Sequence, residues 1–293
     1  MDDFTTWLSE QDVSIQYLYT KLVKQHADTK LQKRIASEGY GSFLLSQQNP
    51  DGHWGKYYYQ PKWTSTHYTL LQLKDCGISP DQPVCREIVF RMFEECQLPD
   101  GGLNLAKSNM ASDICVDGMI LNYASYFIPE SEKLESLVAS ILKKQKSDGG
   151  FTWYDQSKGD PHSTICVLEG LHSFQVNAES KELQLQVERA IRGGLDYFYQ
   201  HHLFLAEKKY QKLIYPFRYF YSVFRFLLLA AGLGFEANKE IGEALDLLPK
   251  KEQNGFYNLE KAYKGQTFIE FSKIGEIDPF LTVYGKSILA RLR

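Results

Sequence analysis

No run in this sequence is long enough to cross a membrane as a helix. The longest apolar run, residues 226–235 (FLLLAAGLGF), falls far short of the roughly 20 residues a span needs. Charge of one sign is also scarce. The net charge of −3 predicts no broad basic field for nucleic acid. Cysteine is sparse and odd in number, five, with no C-x-x-C pair. With no secretory leader after Met1, that usage predicts a reduced, cytoplasmic chain and excludes a disulfide scaffold. Period-2 alternation is missing apart from residues 56–59, so the fold is expected to be nearly all helical. What the chain does have is apolar and aromatic mass: 43% hydrophobic residues, with 19 Tyr and 18 Phe. That suffices for a large core, and it also suits an aromatic-lined cavity.

The organising feature is a repeat. Residues 41–54 read GSFLLSQQNPDGHW: an apolar helical run, a glutamine, an aspartate–glycine turn, then an aromatic. The pattern returns with decreasing fidelity at Asp100 (CQLPDGGL), Asp148 (QKSDGGFTW) and Asn254 (EQNGFY). The period is about 50 residues, the last interval spanning two. Each unit reads as two helices joined by a glycine turn, and stacked units bury one continuous core. Asp160-Pro161 and Asp278-Pro279 are helix-start signals, a capping carboxylate followed by proline. The other second helices are expected to begin near Thr64, Ser112 and Tyr215. The fourth repeat has lost its glycine turn to His201-His202-Leu203-Phe204. The expectation is a single all-α domain over 1–293: two lead-in helices within 1–38, then about five hairpin repeats closing into an α/α toroid. The N-termini of the inner helices should frame a central cavity. Gln48 and Trp54 should tie neighbouring repeats together.

The turn repeats resemble the glutamine–tryptophan repeats of squalene–hopene cyclases and the turns of protein prenyltransferase β subunits. CVDGMILNYASYF and HSTICVLEGLHSF resemble bacterial squalene-cyclase-like proteins. The resemblance implies an α/α toroid that handles isoprenoids. Cyclases of that type protonate an alkene with a DxDD motif. The matching stretch here, Asp113-Ile114-Cys115-Val116, keeps one acid and puts a thiol at the proton-donating position, which argues against squalene-type cyclisation. Protein prenyltransferases bind zinc through D-x-C and a later His. Asp113, Cys115 and His162 match those types, which makes them the candidate catalytic and zinc-binding set. The zinc would activate a thiol or similar acceptor for prenyl transfer.

Other candidates follow from position. His67, Trp63, Arg218 and Tyr219 are expected to bind substrate at inner-helix starts, with Arg218 opening a helix near Lys208, Lys209 and Lys212. Trp54, Trp63, Trp153 and Tyr219 could line an apolar pocket. Glu169 lies mid-helix and needs a partner if buried. Two competing readings stand beside the isoprenoid one. The first is a non-catalytic ligand-binding or scaffold toroid, with peripheral membrane or protein contacts open. The second is a carbohydrate-active barrel using Asp113, Asp117 or Asp160.

Overall fold

The computed structural model describes residues 3–154, 156–175, 180–235 and 238–292. Three short helices lead in: α1 (Asp3–Ser9), α2 (Val13–Leu22) and α3 (Thr29–Arg34). Five helix pairs follow, each an outer helix, a turn and an inner helix. They are α4 (Gly39–Ser46) with α5 (Thr66–Asp75), α6 (Pro83–Cys96) with α7 (Ile114–Phe127), and α8 (Lys133–Lys143) with α9 (Pro161–Gln175). Next come α10 (Lys181–Gln200) with α11 (Val223–Leu233), and α12 (Lys239–Leu245) with the short α13 (Leu248–Lys251) and α14 (Pro279–Leu292). A two-stranded hairpin, β1 (Glu252–Gln253) and β2 (Phe256–Tyr257), makes the last turn. The protein is an all-α toroid.

The ring closes through the lead-in. Helix α14 packs on α11 at one side and on α2 at the other. Ser287 Oγ donates to the Leu22 carbonyl at 3.3 Å, and Trp7 meets Phe256 edge-on at 5.1 Å. Tyr17 of α2 lies against Gly77, just past the end of α5. The segment 1–38 is therefore more than a preface: it holds three helices where two were expected, and α2 is the sixth inner staff.

The turns explain the period. Asp51, Asp100 and Asp148 each accept, through Oδ1, the backbone N–H two residues on, at 2.9, 3.1 and 3.1 Å. Gln97 and Gln145 donate to the turn carbonyls of Gly101 and Gly149 at 3.2 and 2.8 Å. Each also reaches the next outer helix, at Lys133 O (3.2 Å) and Ala190 O (2.9 Å). Gln48 holds only its own turn, donating to Gly52 O at 2.8 Å, and Arg91 of α6 supplies the cross-repeat bond to Asp51 O at 2.9 Å. Trp54 likewise stays within its repeat, donating from its indole to Leu44 O at 2.7 Å. In the fourth pair, His202, Leu203 and Phe204 take positive φ without glycine. Tyr221 anchors them, its hydroxyl donating to Leu203 O at 2.8 Å.

A second device recurs unread in the sequence. The backbone N–H that follows each glycine turn is accepted by a side chain in the first turn of the inner helix. Trp54, Leu103, Phe151 and Tyr257 donate to Thr66, Asp117, Thr164 and Thr282 at 3.1, 2.9, 2.9 and 3.2 Å. Asp113, Asp160, Ser222 and Asp278 cap α7, α9, α11 and α14. Asp278 is fully buried, and that burial pushes its carboxyl up to about 6. A raised folded-state pKa means its stabilising contribution is complete below the unfolded value of 3.8 and is lost as pH rises through about 6. In chemical denaturation the stability of the wild type relative to Asp278→Asn should therefore fall by roughly 3 kcal/mol between pH 4 and 7, over and above the pH dependence that Asp75 and other groups give both proteins. An unchanged pH profile in the variant would contradict this.

Candidate functional site

The end of the toroid where the inner helices begin is closed by a plug. Trp63, in a 3-10 turn at Lys62–Thr64, donates from its indole to Lys264 O at 2.7 Å. Tyr219 stacks beside it with centroids 6.1 Å apart, and the Arg218 guanidinium sits 4.0 Å over the Trp63 ring and 4.6 Å over Tyr263. Tyr263 in turn donates to Phe217 O at 2.6 Å. The structure thus brings Trp63, Arg218 and Tyr219 together, with Tyr263 as a partner the sequence did not reveal. Arg218 does not open a helix. Residues 215–221 form a loop, with Arg218 at φ +51, and α11 starts only at Val223, behind the Ser222 cap. His67 points elsewhere. It is fully buried, its Nδ1 lies 3.3 Å from the Tyr123 hydroxyl of α7, and burial pulls its pKa down to about 3.

The candidate zinc set is held apart by other bonds. Asp113 lies at the cap position, as D-x-C convergence requires, but it accepts the Cys115 N–H at 2.8 Å. Cys115 is a free thiol hydrogen-bonded to the free thiol of Cys166 on α9; that contact and burial raise its pKa well above the ordinary thiol value. His162 Nδ1 accepts the Tyr221 N–H at 2.9 Å, and its ring packs on Phe220 at 4.9 Å. Burial pulls His162 down to about 4. Among the described residues no three His, Cys, Asp or Glu side chains converge as a metal site. In this arrangement Asp113, Cys115 and His162 do not fit zinc. Asp117 and Asp160 serve the scaffold. Asp117 accepts from Ser112 at 2.7 Å and Lys144 at 3.1 Å, and Asp160 accepts the His162 and Ser163 N–H groups. Trp54 is buried within its repeat, and Trp153 is half-exposed against Tyr154. Lys209 pairs at the surface with Glu207 at 2.8 Å.

The cavity of the toroid lies behind the plug and faces the other way. It has a volume of about 310 Å³ and is walled by the C-terminal halves of the inner helices. Each helix presents one stripe to it: Tyr68, Leu71, Gln72 and Asp75 from α5, and Arg225, Leu228, Leu229 and Gly232 from α11. Phe217 and Arg218 form its floor. The cavity was expected at the N-terminal ends. The reversal follows from loop length: the long segments after each turn fold over the N-terminal ends, while the C-terminal ends of α5 and α7 are joined by short connections such as 76–82 and 128–132.

Its walls are mainly apolar but carry several charged side chains. Arg225 grips Glu169 with two bonds, Nε to Oε1 at 2.7 Å and Nη2 to Oε2 at 2.6 Å, and donates to Phe220 O at 3.0 Å. This is the partner Glu169 required. Lys74 donates to Asn122 Oδ1, which also accepts from Ser173 at 2.7 Å. Burial pulls Lys74 below the usual lysine value and pushes Asp75 up to about 7. Lys21 and Arg291 also line the cavity. Polar residues deep in otherwise apolar inner helices were the available signal for this site, and their one-stripe spacing was there to be read.

A family model described as the prenyltransferase alpha-alpha toroid domain matches residues 13–192. The chain belongs to that family. The match includes α2, in accord with its place in the ring, and it upholds the resemblance carried by the turn repeats. A single-substitution variant of the type II terpene cyclase MstE from Scytonema, without ligand, is 15% identical. It aligns over 95% of this chain and 97% of its own at a TM-score of 0.35. Another variant of that cyclase, in complex with its substrate geranylgeranyl dihydroxybenzoate, is 14% identical over 95% of this chain and 98% of its own, at 0.33. No curated protein matches the chain. Among the described residues of this toroid, no helix is long and apolar enough to cross a membrane.

Proposed function

We propose that this toroid takes up an isoprenoid-type small molecule in its axial cavity and handles it without proton-initiated cyclisation. The observation that carries the reading is the cavity itself. It lies on the ring axis, is walled by Leu71, Leu228, Leu229 and Phe217 on its apolar side, and has about 310 Å³. That volume is at the small end of ligand pockets, which run from about 300 Å³ upward. It favours a short isoprenoid over a triterpene. Family membership supports the ligand class. The chemistry of the acids supports the second half of the reading. Protonating an alkene needs an acid stronger than usual, yet Asp75 is pushed up to about 7 and Asp113 is committed to its cap.

The test is saturable binding of geraniol to the purified chain, followed by calorimetry. Leu228→Trp, which fills the cavity from α11, is expected to weaken binding at least 10-fold while far-UV circular dichroism stays unchanged. Equal binding by that variant would place the ligand outside the cavity and sink the proposal.

A further inference from the structure

The cavity floor carries polar groups that the fold leaves without partners. Arg218 is 7% exposed, and its Nε and Nη1 make no hydrogen bond. Its ionisable neighbours Tyr263, Tyr68, Tyr219 and Tyr215 are uncharged at neutral pH, and Lys62 close by is a cation. Trp63 and Tyr263 cover its faces, which steadies the cation but leaves the in-plane N–H groups unused. Gln72, 2% exposed on the same cavity, has both amide atoms unpartnered. Native interiors leave few such groups, and each one calls for an explanation. By contrast Arg225, another deep cation on the cavity, is matched by Glu169.

From this we infer that the ligand of the axial cavity carries an oxyanion, a carboxylate or a phosphate, which is held by Arg218 with Gln72 beside it. A planar guanidinium offers two parallel N–H donors to such a head, and the Gln72 amide adds a third. An uncharged alcohol could satisfy Gln72 but would leave the guanidinium without a counter-charge. Lys21, Lys74 and Arg291 also line the cavity and outnumber the carboxylates of Asp75 and Glu169, the latter already paired with Arg225, so the balance of charge draws an anion inward. The apolar wall of Leu71, Leu228 and Leu229 then takes the hydrocarbon. This rests on the axial cavity being the binding site.

Binding of geranic acid, geranyl phosphate, geraniol and decanoate, measured by calorimetry at fixed ionic strength, tests it. At least one of the two geranyl anions is expected to bind 10- to 100-fold tighter than geraniol, the factor a charge-assisted pair supplies. Which one does so identifies the head as carboxylate or phosphate. Arg218→Gln should erase that advantage, bringing the anions to the affinity of geraniol, and Gln72→Leu should reduce it by a smaller factor. Equal affinity for geraniol and both anions in the wild type would overturn the oxyanion head while leaving the isoprenoid reading intact. Decanoate bound as tightly as geranic acid, with no binding of geraniol, would uphold the head and overturn the isoprenoid body. Failure of all four to bind would overturn both. The wild-type ratios need no variant, so the inference stays testable even if Arg218→Gln misfolds.

Discussion

Glu169→Ala is expected to lower the stability of the protein by about 3 kcal/mol, far more than the reciprocal change at Arg225. The asymmetry comes from where the two charges sit. Arg225 is 2% exposed and Glu169 is 22% exposed at the cavity wall. Deleting Glu169 strands a guanidinium that cannot shed its proton, leaving it the Phe220 carbonyl and the Cys166 sulfur as hydrogen-bond partners. Deleting Arg225, as Arg225→Met, leaves a carboxylate that can reach water or take up a proton. That change should cost about 1 kcal/mol, most of it lost packing and hydrogen bonding. The double variant, Glu169→Leu with Arg225→Met, removes both charges together and should return to within about 1 kcal/mol of wild type. Urea denaturation of the four proteins decides the matter. If Arg225→Met is as damaging as Glu169→Ala, the stranded-charge argument is wrong and the pair acts mainly through packing.

That pair also shows how far the sequence could be read. The fold was legible because its causes are local. An aspartate that accepts the N–H two residues on, followed by glycine at positive φ, writes a turn into four letters, and the turn recurs at Asp51, Asp100 and Asp148. Asp160-Pro161 and Asp278-Pro279 place α9 and α14 to the residue. The site was harder because it is assembled from one residue per turn on six different helices. Gln72, Asn122, Glu169 and Arg225 are isolated polar letters in apolar runs, and only the ring brings them together. The helix starts carry the more conspicuous letters, Asp113, Cys115 and His162, but those side chains hold the scaffold at that end. The orientation of the cavity depends on which loops fold inward, a long-range outcome that no local pattern encodes. The place of α2 in the ring is illegible for a similar reason: it lacks the turn motif, and its membership of the ring depends on α14 meeting it more than 250 residues later.

The turn that made the repeat readable should also be a point of severe sensitivity, for a reason that differs from repeat to repeat. Gly149 and Gly255 hold nearly the same backbone conformation, φ +84 and φ +88. A side chain at either pays a conformational cost of about 1–2 kcal/mol. Their surroundings differ. A Cβ at Gly149 would lie 2.1 Å from the Gly193 carbonyl oxygen and 2.6 Å from its carbon, both backbone atoms of α10 that no rotamer change can move. A Cβ at Gly255 would meet nothing nearer than Lys286 Nζ at 3.7 Å, the free end of a flexible side chain. Gly149→Ala therefore has to push α10 away from the turn, and in doing so it strains the Gln145 bond to Ala190 O that joins the two repeats. We expect Gly149→Ala to cost about 4 kcal/mol and Gly255→Ala about 1–2 kcal/mol. Chemical denaturation of the two variants gives both numbers. Equal costs would mean that the turn conformation alone sets the requirement for glycine, and that α10 can move off the third repeat freely. A large gap would show that the period of the chain is fixed by the closeness of one repeat's turn to the next repeat's outer helix.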